Sequence, residues 1–132
     1  MAFSGNVATV VPIEEHACCA DHLEHQLIPF DAWGRAYAVA PPPSPVDLGA
    51  DDPGVVRMIG AFDDTQLEYC PSRPDGAPWS LKGGETVEFE TSQPFTVRSI
   101  GDEHPFSVTA FLESNQAIAG AAGQPGDPAM IV

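Results

Sequence analysis

Fourteen prolines are spread through a chain of 132 residues, and they restrict its secondary structure more than any other feature. Proline lacks a backbone N–H, and its ring collides with the preceding helical turn, so long helices cannot accommodate so many. Short strands joined by turns can, and the chain also has twelve glycines for such turns. The sequence therefore predicts an all-β chain.

Alternation of apolar and polar side chains marks the predicted strands of the second half. Residues 55–61 and 65–69 alternate on either side of Asp63-Asp64, and we expect these two strands to form a hairpin. The other strands of this half are predicted at 86–90, 95–100 and 106–112.

The first half is less regular. It predicts strands within residues 1–12 and around 35–39, and at most one short helical turn near residues 20–28, where Leu23 and Leu27 lie four residues apart. Short strands at this spacing favour a single β-rich domain over residues 1–132, built as an antiparallel β-sandwich or a partial barrel. The predicted core consists of Trp33, Val56, Met58, Leu67, Tyr69, Val87, Phe89, Phe95, Val97, Val108 and Phe111.

The charge balance excludes several partners. Nineteen acidic side chains against five basic ones give a net charge of −14, whereas nucleic acid and anionic membranes attract clustered Lys and Arg. No run approaches the roughly 18 apolar residues that span a bilayer, so no membrane insertion is expected. Basic proteins, neutral glycans and divalent cations remain open as ligands.

The two ends of the sequence bear on its origin. The first residues have no basic region followed by an apolar core, so we do not expect them to form a signal peptide. The last four residues are apolar and stop without a polar tail. We therefore expect this chain to be a piece of a longer, secreted precursor.

Six segments occur in an order that is more informative than any one of them. They are Phe3-Ser4-Gly5-Asn6, residues 19–27 (CADHLEHQL), residues 32–37 (AWGRAY), residues 55–65 (VVRMIGAFDDT), residues 81–89 (LKGGETVEF) and Gly126-Asp127-Pro128-Ala129-Met130. This series resembles the N-terminal domain family of the IgG Fc-binding proteins, in its bacterial secreted members. The resemblance covers nearly the whole chain, although the family domain normally continues further.

The resemblance implies an extracellular or cell-surface β-rich module of a larger secreted bacterial protein. Its expected role is adhesion or surface recognition, without catalysis, and the ligand is an unknown protein or glycan. No nucleophile, phosphate-loop or dinucleotide motif suggests an enzyme. Binding is expected at strand edges or loop tips, notably residues 41–53 and 71–78.

The three cysteines allow a disulfide. In an oxidising compartment Cys19 could pair with Cys70, with Cys18 as the alternative, closing a loop of about 50 residues and stabilising the fold by about 4 kcal/mol. The competing interpretation is three reduced thiols in a cytosolic protein. Family members often have a further Cys near position 8, where this chain has Ala8.

A histidine and cysteine cluster suggests a transition-metal site as an alternative function. Imidazole and thiolate are the usual ligands of Zn and Cu, and a helix would place Cys18 beside His22, and His22 beside His25. The candidate ligands are His16, Cys18, Cys19, His22 and His25. A structural role for the histidines, without any cofactor, is the competing interpretation.

Acidic loops and an open sheet edge are compatible with two more functions. The acidic pairs Asp51-Asp52, Asp63-Asp64 and Asp102-Glu103 could supply oxygen ligands for Ca, although solvated turn tips explain them equally well. An open sheet edge near residues 128–132 could pair with another copy, which would make the chain a self-assembling structural protein.

Overall fold

The computed structural model describes residues 2–9, 11, 20–41, 53–101, 103–113 and 130–131. This part of the chain is all-β, as the prolines predicted. Its elements, in order, are β1 (Phe3–Thr9), β2 (Asp21–Gln26), a 3-10 turn (Phe30–Ala32), β3 (Ala36–Val39), β4 (Gly54–Gly60), β5 (Thr65–Cys70), β6 (Ser80–Leu81), β7 (Thr86–Thr91), β8 (Phe95–Ser99), β9 (Phe106–Phe111) and β10 (Met130–Ile131).

Two antiparallel sheets of four strands form a sandwich. The first sheet has the order β10-β9-β4-β7 and the second has the order β3-β8-β5-β6, while β1 and β2 pair separately. Because side chains alternate along a strand, each sheet turns one set of apolar residues towards the other sheet. The sandwich predicted from the strand spacing is therefore confirmed, and the sheets do not close into a barrel.

The core lies between these two sheets. Phe106 and Met58 of the first sheet are fully buried, and Val97 and Leu81 of the second sheet are almost so. Burial of each large apolar side chain stabilises the fold by about 1.5–3 kcal/mol. The complete buried cluster is Val56, Met58, Leu67, Ala77, Leu81, Phe89, Phe95, Val97, Phe106 and Val108, with Tyr37, Val39, Tyr69 and Val87 packed against it.

The two sheets meet closely where β4 ends. A Cβ atom on Gly60 would lie 2.5 Å from the carbonyl oxygen of Lys82, so this position requires glycine. The close approach lets the Gly84 N–H donate to the Gly60 carbonyl at 2.9 Å. A second link joins the chain before β3 to β9, since the Phe106 N–H donates to the Gly34 carbonyl at 2.9 Å.

Three local predictions were wrong. Residues 55–61 and 65–69 do not form a hairpin: β4 pairs with β7 and β9, whereas β5 pairs with β6 and β8. The turn between them, with Asp64 at a φ of 56°, instead carries the chain from one sheet to the other. Alternation shows which side chains are buried, but it does not distinguish a strand pair within a sheet from two strands facing each other across the core.

The second error concerns residues 20–28, for which the sequence analysis allowed at most one short helical turn and predicted no strand. These residues form β2, and the one helical turn of the described chain lies later, at Phe30–Ala32. The third error concerns Trp33, which is only half-buried and stands outside the core, with its ring 5.3 Å from that of Phe30. None of the described residues belongs to a helix of the length and hydrophobicity that a bilayer crossing requires.

Candidate binding cleft

The outer face of the first sheet is partly covered by the β1–β2 hairpin. Val55 of β4 and Phe111 of β9 are register partners, and both point away from the core. They form a second buried cluster with Leu23 of β2 and with Val11. This cluster holds the hairpin against the sheet and leaves a cleft beside it.

We call this cleft, between β1 and β7, the hairpin cleft. Its volume is about 740 Å³, and its floor includes Val55 and Phe111. Ser4, Gly5 and Asn6 of β1 line one wall. The other wall comprises Glu88, Glu90, Asp75 and Gly76, so part of the predicted recognition loop 71–78 borders the cleft.

An ion pair crosses the floor of the hairpin cleft. Arg57 and Glu88 are direct partners on β4 and β7, and the Arg57 Nη2 atom lies 2.5 Å from Glu88 Oε1. The same guanidinium lies over the Phe111 ring, 4.8 Å from its centroid. Glu90 and Asp75 are exposed. The cleft therefore presents three carboxylates and one guanidinium that is already paired, which makes it acidic.

The β1 wall offers backbone hydrogen-bonding groups. The Leu27 N–H donates to the Ala2 carbonyl at 2.9 Å, and the register runs from that pair through Phe3–Gln26 to Asn6–Leu23. Hydrogen-bonded and non-bonded pairs alternate in an antiparallel ladder, so Phe3 and Gly5 direct their N–H and C=O groups away from β2. Among the described strands, β2 is the only one that pairs with β1.

The loop that borders the hairpin cleft is anchored to the core. The Tyr69 hydroxyl donates to the Pro78 carbonyl at 2.6 Å, and burial raises the pKa of this tyrosine well above its usual value. Ala77 is buried in the core cluster. Arg73 donates to the Ala77 carbonyl and stacks 4.5 Å from the centroid of the exposed Trp79 ring. These contacts of Tyr69, Ala77 and Arg73 fix the loop that carries Asp75 in the cleft wall.

A second surface feature lies at the other end of β4. Phe30, Trp33 and Phe62 form an aromatic group, with ring centroids 5.3 Å apart for Phe30–Trp33 and 5.6 Å apart for Phe30–Phe62. Phe30 and Phe62 are about half exposed. The Trp33 Nε1–H donates to the Ile28 carbonyl at 3.3 Å, which fixes the indole ring. Large exposed apolar groups often mark interaction sites.

Comparison with known proteins supports the resemblance seen in the motifs. The family model described as IgGFc binding protein matches residues 1–132. The chain belongs to the IgGFc-binding family. No curated protein and no solved structure matches the chain. The family is one of binding domains and not a known enzyme family, so the match supports a non-catalytic binding module.

In this member of the IgGFc-binding family, two of the five predicted metal ligands, His22 and His25, are among the described residues. His16, Cys18 and Cys19 lie outside the described residues, and no group of three or more metal-ligating side chains occurs among the residues that are described. His22 and His25 lie in β2 and not in a helix, and a separation of three residues along a strand places their side chains on opposite faces. The His22 Nε2 atom lies 3.2 Å from Glu24 Oε2.

The other predicted sites are the disulfide, the calcium ligands and the first recognition loop. Cys70 ends β5 on an exposed surface and forms no disulfide with another described residue; both of its predicted partners lie outside that part. Asp63, a predicted calcium ligand, accepts a hydrogen bond from the Gly83 N–H at 3.0 Å and so holds a turn. Residues 42–52, most of the first predicted recognition loop, are also outside the described chain.

Sequence reasoning missed the hairpin cleft itself. Arg57 and Glu88 are 31 positions apart, and only the register of β4 against β7 brings them together. One signal was available: Val55 stands next to Val56, so β4 is apolar on both faces at that point. A strand that is apolar on both faces predicts that something covers its outer side.

Proposed function

We propose that this chain is a binding module of a larger secreted bacterial protein, and that it acts in adhesion or recognition at the cell surface by holding a protein ligand in the hairpin cleft. Family membership supports a binding module of protein ligands. The cleft is the observation that carries the proposal for this chain, because it combines an apolar floor with polar walls.

The dimensions and the chemistry of the hairpin cleft suit ligand binding. A volume of about 740 Å³ can hold a few side chains of a protein ligand, since pockets that enclose a small molecule measure roughly 300–1,000 Å³. Val55 and Phe111 supply apolar contact, and the charged groups at Arg57, Glu88 and Glu90 supply orientation. Rigid strands carry these side chains, which favours binding because little conformational freedom is lost.

The proposal can be tested by filling the cleft. The purified domain is screened against arrays of extracellular proteins and of glycans, and each interaction is measured again with the N6W variant. Asn6 is exposed on β1 and lines the cleft, so an indole there occupies its space. Q66W is the matched control, because Gln66 is exposed on β5, in the second sheet.

We expect a protein ligand to bind the wild-type domain and Q66W equally and to lose most of its affinity for N6W. Equal binding to N6W would place the ligand elsewhere, with the aromatic group at Phe30 as the next surface to test. A ligand found only on the glycan array would replace the protein ligand. Failure to bind either array would contradict the proposed function.

A further inference from the structure

The outward edge of β1 is unusual for a strand at the surface. Natural sheets usually protect such edges with charged residues or proline, but β1 has the sequence FSGNVAT, with neither. Phe3 is 58% exposed and Val7 is 87% exposed. A register shift between Asn6 and Thr9 limits regular pairing to the part before it. Phe3 and Gly5 lie in that regular part, and their outward backbone groups can pair with a further strand.

The wall opposite β1 is acidic. Glu88 and Glu90 are two residues apart and therefore both lie on the outer face of β7, and Asp75 lies beside them. Arg57 compensates Glu88 at 2.5 Å, so Glu90 and Asp75 give the cleft its net negative charge. Such a wall attracts a cationic side chain and repels an acidic one.

We propose that the hairpin cleft binds an extended segment of a partner protein, which adds as a strand to the edge of β1 that no described strand occupies and places a Lys or Arg side chain against Glu90 and Asp75. This inference rests on the proposed function and specifies its ligand. Strand addition supplies affinity through main-chain hydrogen bonds, and pockets for alternate side chains supply specificity. The hairpin cleft has both parts, an open edge and an acidic wall above an apolar floor.

Charge argues for a partner protein as the occupant. The chain's own segments 12–19, 42–52 and 114–129 contain no Lys or Arg, so none of them carries the cation that the acidic wall selects. A second copy of the chain has a net charge of −14, and two such copies repel each other. A basic segment of another protein carries the required cation and is attracted, not repelled, by the acidic chain.

The test uses a synthetic peptide of alternating Val and Thr with one central Lys, titrated into the whole domain by calorimetry or fluorescence anisotropy. A second peptide has Glu in place of Lys. Two further peptides keep the Lys but carry N-methyl groups on the amides of one edge or of the other. For a given chain direction only one edge faces β1 when the Lys points to Glu90, and reversing the peptide exchanges the two edges, so at least one of these methylated peptides should lose affinity.

Protein variants test the acidic wall. E90Q removes one charge without changing the shape of the side chain, and we expect it to weaken binding of the Lys peptide about two- to fivefold. E103Q is the control, because Glu103 is an exposed carboxylate just before β9, at the end of that strand remote from Phe111. Added salt should weaken binding to the wild type more than binding to E90Q.

Each outcome decides something. Equal affinity for the Lys and Glu peptides, or full binding of both methylated peptides, overturns strand addition with charge selection. If the array ligand still loses affinity for N6W in that case, the proposed function survives and only this inference fails. Self-association of the domain without peptide, abolished by N6W, would assign the β1 edge to a second copy and also overturn the inference.

Discussion

The Tyr37 hydroxyl bridges the two sheets, and its removal is the most direct test of the sandwich. Tyr37 belongs to β3 in the second sheet, yet its hydroxyl donates to the Phe106 carbonyl of β9 in the first sheet at 2.7 Å. The same oxygen accepts the Gly34 N–H at 2.8 Å. The Tyr37 and Phe106 rings also pack edge to face, with centroids 5.0 Å apart. The variant Y37F keeps the ring and deletes both hydrogen bonds.

The expected loss follows from those two bonds. Each intramolecular hydrogen bond contributes about 0.5–1.5 kcal/mol net, and water reaches a half-buried site well enough to replace part of it. We therefore expect Y37F to lower the free energy of unfolding by about 2 kcal/mol. For a domain of this size, that loss lowers the melting temperature by about 8 °C.

Thermal and urea denaturation, followed by far-UV circular dichroism, measure this loss. Y69F is the matched control, because the Tyr69 hydroxyl donates to the Pro78 carbonyl, in the loop that follows β5, at 2.6 Å, and its contact with the first sheet is with the Met58 Sδ atom at 3.8 Å and not with the backbone. We expect it to cost about 1 kcal/mol, roughly half of the effect of Y37F. If Y37F is as stable as the wild type, the contact between β3 and β9 does not exist as described.

Three further predictions follow. F89D places a charge at a position that is 7% exposed, so we expect the circular dichroism spectrum of this variant to be that of an unfolded chain. A folded, soluble F89D would show that the face assignment is wrong. Tyr37 and Tyr69 are the chain's two tyrosines, and burial raises both pKa values. Above a pH of about 10 the unfolded chain loses tyrosine protons that the folded chain keeps, so stability should fall as pH rises; unchanged stability in that range would contradict the burial. Non-reduced peptide mapping of the protein produced in an oxidising compartment should link Cys70 to Cys19 or its neighbour, and three free thiols would reject the bridge.

Local chemistry allowed much of the fold to be predicted from the sequence. The prolines excluded long helices, and alternation located the strands at Val56, Phe89 and Val97, whose inward side chains form the core. Phe106 was predicted to begin a strand but was left out of the predicted core, although it is fully buried, because it begins that strand directly after His104-Pro105. Trp33 was wrongly placed in the core, because size and hydrophobicity do not reveal that its ring stacks on Phe30 at the surface.

The site was harder to predict than the fold, for a physical reason. Motifs in the sequence report groups that lie close along the chain, such as His22 and His25, and strand geometry then separates these two across the sheet. The groups that do converge, Arg57 and Glu88, depend on strand register, which is set by the packing of whole sheets. The family motifs correctly implied a β-rich fold, but they did not predict the hairpin cleft.

The distribution of charge around the hairpin cleft connects the fold with recognition. In a chain with 19 acidic side chains, β1 has none, whereas β7 across the cleft carries Glu88 and Glu90 on its outer face. One wall therefore supplies hydrogen bonds that any extended backbone can use, and the other distinguishes partners by charge. A strand paired with β1 turns every second side chain towards the sheet, so only those positions meet Phe111 and Glu90. Selectivity should consequently alternate along the bound segment: substitution of its inward residues should change affinity, and substitution of the residues between them should not.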